Sequence, residues 1–66
     1  MSETYTVYIE NSVEKSERTL NLKGSSPMNV HKDAYMKSSQ HEEIRTIEDS
    51  DGKTVFDAHH GFLSAY

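Results

Sequence analysis

Apolar and polar positions alternate along residues 4–10, where Tyr5, Val7 and Ile9 are separated by Thr4, Thr6, Tyr8 and Glu10. A period of two in β-branched and aromatic residues predicts a half-buried strand with Tyr5, Val7 and Ile9 toward the core. Residues 11–16 carry turn formers and charges, and read as a hairpin connection. Residues 17–23 return as a second strand with Leu20 and Leu22 inward, and Gly24-Ser25-Ser26 ends it.

The period then changes. Ser26-Pro27 predicts a helix start, because Ser can cap the first turn and Pro has no N–H to leave unpaired there. The helix is expected from Pro27 to Ser39 or Gln40. Its apolar stripe is thin: Val30 and Ala34 lie i,i+4, His31 and Ser38 flank them, and Met28 and Tyr35 lie a heptad apart on a neighbouring face. The side that packs is ambiguous on this pattern.

Residues 42–48 predict a third strand. Asp49-Ser50-Asp51-Gly52 supplies turn chemistry, and residues 53–58 a fourth strand that closes a second hairpin. After Gly61, the apolar run Phe62-Leu63-Ser64-Ala65-Tyr66 predicts a short fifth strand or a segment docked on the core. The order β-β-α-β-β makes this an α+β chain, with one helix packed on a small, mainly antiparallel sheet. The chain of 66 residues is expected to form one small domain.

Composition narrows the picture. Apolar residues are 33% of the chain, below the roughly 45–50% of a typical domain. A core of this size supplies only about 3–5 kcal/mol. With no Cys, there is neither a disulfide nor a thiolate metal site to add to it. A partner or a second copy is then a natural source of further stability.

The net charge is −4, and the seven basic residues are scattered singly. Nucleic-acid binding needs clustered cations, so no direct nucleic-acid contact is expected, nor one with an anionic membrane. The start of the chain has no basic and apolar leader pattern, and no apolar run reaches membrane-spanning length. A cytoplasmic location is the expectation.

Candidate chemistry is sparse. No Gly-x-Ser-x-Gly elbow, phosphate loop or dinucleotide fingerprint occurs. The chain is therefore not expected to be an enzyme, and no cofactor is implied. Asp57 and His59 lie two apart, on one face if the fourth strand continues, and would need His31 or His41 to complete a metal site. This lacks the paired ligand spacing of zinc sites, and no native metal is expected.

The acidic cluster is the stronger signal. Glu42, Glu43, Glu48, Asp49 and Asp51 fall within ten residues, opposed only by Arg45. Along a strand and its turn they could form a rim that steers a basic partner surface. The alternative is a solvated turn whose charges protect an edge strand. Tyr8, facing away from Tyr5, Val7 and Ile9, is a candidate interface anchor.

In size, acidity and element order the chain resembles phage-encoded inhibitors of host enzymes and defence systems. That resemblance is architectural, with no shared motif. It implies a small acidic protein that docks on a larger protein with a basic surface and inhibits or modulates it. The residues expected to carry the contact are Glu42, Glu43, Glu48, Asp49, Asp51 and Tyr8. A second reading is a self-associating accessory protein, a homodimer through residues 62–66. A third is a His-based metal-binding domain.

Overall fold

In the computed structural model, which describes residues 3–63, a single helix lies across one face of a five-stranded antiparallel sheet. The elements are β1 (Glu3–Asn11), β2 (Ser16–Gly24), α1 (Pro27–Lys37), β3 (Glu42–Glu48), β4 (Thr54–Asp57) and β5 (Gly61–Phe62). The strand order is β2-β1-β3-β4-β5. Both β2 and β3 are antiparallel to β1 and therefore run parallel to each other. Helix α1 makes the crossover between them and so passes over β1.

The alternation in β1 selects the covered face. Tyr5, Val7 and Ile9 are buried under α1 together with Val30 and Ala34 of the helix and Ile44 and Ile47 of β3. Leu20, Leu22, Val55 and Phe56 close the margins of this core. Leu22 and Leu20 stand directly opposite Tyr5 and Val7, as the hairpin register requires.

Ile44 and Ile47 are three residues apart, a spacing that sends side chains to opposite faces of a regular strand. A bulge resolves the conflict: the β1–β3 register shifts, so that Ile9 faces Ile44 while Tyr8 faces Thr46 and Val7 faces Ile47. Both isoleucines are buried as a result, and Arg45 is turned away from the core.

The helix begins where the sequence predicts. The Ser26 side chain accepts from Asn29 N at 3.3 Å, and Pro27 follows it. Gly24 permits the close approach of α1 to β2, since a Cβ there would lie 2.6 Å from Val30 Cγ2. The helix stops at Lys37, earlier than expected. Ser38 is extended, and both its N and its Oγ donate to Tyr35 O. This local bond competes with another helical turn.

Strand β4 is likewise shorter than expected. Lys53 N is taken by Asp49 Oδ1, and residues 58–60 form a turn. The start of the apolar tail forms β5, with Phe62 opposite Phe56. Residues 64–66 of the expected tail segment lie outside the described residues. Among the described residues no helix is long and apolar enough to cross a membrane.

Candidate functional site

The pleat that buries Tyr5, Val7 and Ile9 points Thr6, Tyr8 and Glu10 to the other face of the sheet. Among the described residues no helix or loop layer covers that face. Its cross-strand rows follow from the register. Thr6 lies between Asn21 and Glu48, Tyr8 between Thr19 and Thr46, and Glu10 between Glu17 and Glu43.

Tyr8 stands at the middle of this face, half-buried among its neighbours. Its hydroxyl donates to Glu48 Oε1 at 3.2 Å. That bond, and the negative charge of Glu48, hold the phenol above its ordinary pKa. A shallow depression of about 390 Å³ beside the ring is lined by Tyr8, Glu17, Arg45, Thr46 and Glu48.

The third row is electrostatically unfavourable. Glu17, Glu10 and Glu43 stand side by side across β2, β1 and β3. Like charges directly opposite one another destabilise a sheet. One cation answers them, because the β3 bulge turns Arg45 to this face. Its Nε lies 3.5 Å from Glu10 Oε1 and its Nη1 3.8 Å from Glu43 Oε2.

The six residues that the sequence marks for partner contact separate into three groups. Tyr8, Glu43 and Glu48 share the open face. Asp49 and Asp51 sit in the β3–β4 turn, where Asp49 Oδ1 accepts from the N–H groups of Asp51 and Lys53, each at 2.9 Å. Asp51 projects at the exposed tip, with Gly52 taking the positive φ (+83°) that the turn demands.

Glu42 is on the helix side and is engaged within the fold. Arg18 grips it through both oxygens (Nε–Oε2 2.7 Å, Nη2–Oε1 2.9 Å), and Ser39 N donates to Oε1 at 2.8 Å. Arg18 also donates to Lys37 O at the end of α1. The carboxylate thus clasps β2, the helix C-terminus and β3 together. The bidentate bond from Arg18, aided by Ser39 N–H, lowers its pKa from the ordinary 4.5 to about 2. An unbroken acidic rim therefore does not form.

Glu10 and Glu17 belong to the open face but escape a reading by local clustering, because they come from separate strands. The hairpin contained the signal. A loop spanning residues 12–15 makes Asn11 and Ser16 the closing pair, which sets Glu10 against Glu17.

The histidines are dispersed. The His31 ring packs on Phe56 and Phe62, with centroids at 4.7 and 5.5 Å. Burial there lowers its pKa, because the cation is disfavoured among apolar rings. His59 and His60 lie in the β4–β5 turn and not on a strand, so their expected alternation of faces does not apply. Asp57 Oδ1 accepts from His59 N at 2.8 Å, a backbone bond that lowers the Asp57 pKa. Among the described residues no three His, Asp or Glu side chains are grouped to hold a metal ion.

A second surface is apolar. A cleft of about 420 Å³ between the start of α1 and the β4–β5 hairpin is lined by Tyr5, Pro27, Met28, Val55, Phe62 and Leu63. Glu3, Asp49 and Lys53 also line it, so one of the six marked residues lies here, while none of the acidic row does.

No protein-family model, no curated protein and no solved structure matches this chain. The functional reading therefore rests on the geometry of these surfaces.

Proposed function

We propose that this chain is a protein-binding module that docks its open sheet face on a basic surface of a larger protein and blocks or modulates that protein. The observation that carries the reading is the row Glu17–Glu10–Glu43 beside Tyr8. A row of like charges costs stability in a domain that has little to spare, and such costs concentrate where a chain is built for something other than folding. Lys or Arg side chains of a partner would remove the repulsion and gain carboxylate contacts on rigid strands. The long-range field of the row would speed the encounter, and the Tyr8 ring would supply the desolvated contact at the centre.

The test is affinity capture from a lysate of the source cells, followed by measured association with the captured protein. Tyr8→Ala combined with Glu43→Lys should keep the fold and abolish capture. The wild type should bind more slowly as salt rises. A control with Glu14→Lys, in the exposed β1–β2 loop, should bind as the wild type does. Undiminished capture by the Tyr8/Glu43 variant would refute the open face as the contact.

A further inference from the structure

The two margins of the sheet are unequal. On one side the sheet tapers through the four residues of β4 to the two residues of β5. On the other it ends in β2, nine residues long and paired with β1 in unbroken register. β2 contains no Pro and no bulge. Among the described residues no strand pairs with its outer side. Such an edge is a template for another strand unless a device blocks it.

The charges on β2 decide what fits. A two-fold axis normal to the sheet must set one residue opposite its own copy, and each choice of that residue fixes all other pairs. Centring on Leu20 brings all nine residues into register: Ser16 opposite Gly24, Glu17 opposite Lys23, Arg18 opposite Leu22 and Thr19 opposite Asn21. The opposite charges of Glu17 and Lys23 then meet twice, once on each side of the axis.

Neighbouring registers are worse. Centring on Arg18 sets two guanidinium groups against each other. Centring on Thr19 leaves Lys23 and Gly24 without partner residues in the strand and brings Lys23 toward Lys15 of the adjoining turn. Centring on Asn21 leaves Ser16 and Glu17 without partner residues in the strand.

Two further observations favour the same arrangement. Among the described residues neither Glu17 nor Lys23 has an ion-pair partner, and Glu17 has Glu10 as its neighbour on the inner side. A lysine arriving from outside supplies the cation that the end of this row lacks. Leu20 and Leu22 lie only half-buried at the outer margin of the core. In the Leu20-centred register the four leucines of two copies form one apolar strip across the axis, directly or diagonally adjacent.

We propose that β2 pairs antiparallel with β2 of a second copy of this chain, centred on Leu20, so that the two sheets join into one continuous ten-stranded sheet. Both helices then lie on one side and both open faces on the other. This inference goes beyond the docking role of the open face: it shares Glu17 with the acidic row, while Tyr8 and Glu43 take no part in the pairing.

The test uses sedimentation across a concentration series, with circular dichroism to show that each variant is folded. The wild type should dimerise. Glu17→Lys and Lys23→Glu should each weaken dimerisation by about tenfold or more, since each turns two cross-strand attractions into repulsions. Glu17→Lys also removes the clash with Glu10, so a loss of dimer in that variant is not a loss of fold. Mixing the two single variants restores both opposite-charge pairs, and a heterodimer of wild-type strength should form. A wild type that stays monomeric at every concentration would overturn the proposal. So would single variants that dimerise like the wild type, or a mixture that fails to recover.

Discussion

Tyr5 and Tyr8 occupy the same strand three residues apart, and they meet opposite conditions. Tyr5 faces α1 and is 3% exposed among Val7, Ile9, Val30 and Ile47. Tyr8 faces a layer of Thr, Asn and Glu side chains, with no covering element among the described residues and with a bond to Glu48. The covered face is where the chain invests its few large apolar residues. The open face is polar and, in the row through Glu10, internally repulsive. One face stabilises the fold, and the other gives up some of that stability, which suits a surface meant to be met by something else.

The sharpest contrast comes from neighbouring residues of β3. Ile47 is fully buried, whereas Thr46 faces outward beside Tyr8. Ile47→Ala should cost about 2–5 kcal/mol, comparable to the whole stability of a core this small. Urea denaturation should find that variant largely unfolded at room temperature. Thr46→Ala should stay within about 0.5 kcal/mol of the wild type. Equal losses at both positions would mean that the open face is packed against something, and the contrast would collapse.

Next in size is the clasp at the end of the covered side. Arg18 lowers the Glu42 pKa to about 2 from the ordinary 4.5. A carboxyl depressed in the folded state contributes stability that is fully present above its unfolded pKa and is lost as pH falls through the folded one. Stability should therefore decline from about pH 4.5 toward pH 2. Glu42→Gln should be less stable at neutral pH and show a flatter acid limb. An unchanged acid limb in Glu42→Gln would show that other carboxylates set it.

The smallest effect has the opposite sign. Glu10→Gln removes the middle charge of the Glu17–Glu10–Glu43 row and should raise stability by about 0.2–1 kcal/mol, measured as an increase in Tm. The same change should weaken partner binding, the expected exchange of stability against function. A lower Tm in Glu10→Gln would mean that the contact with Arg45 outweighs the repulsion.

The elements of the covered side were legible because they are local in sequence, whereas which face the helix covers was not. Alternation in β1, the Ser26-Pro27 start and the Asp-Gly turn each predict an element from a few adjacent residues. The β3 bulge left its mark in the spacing of Ile44 and Ile47, which fits no regular strand. The open face was legible only in part. Tyr8, Glu43 and Glu48 follow from alternation and charge, but the row that distinguishes the site is assembled across three strands and exists only once register is set.

Glu42 illustrates the converse. Its nearness to Glu43 in sequence suggests a shared role, and the pleat separates them. Glu43 goes to the open face, while Glu42 meets Arg18 from a strand two places away. Charge clustering along the chain is a poor guide within a strand, because adjacent residues face opposite sides.

The most direct test of the open face is a residue-resolved amide shift map of the labelled protein, free and bound to the captured partner. The account predicts changes centred on Thr6, Tyr8, Glu10, Glu43 and Thr46, with Met28, Tyr35 and Met36 of α1 unperturbed. Changes confined to α1 and the β4–β5 hairpin, with Tyr8 and its neighbours silent, would contradict it and move the contact to the apolar cleft.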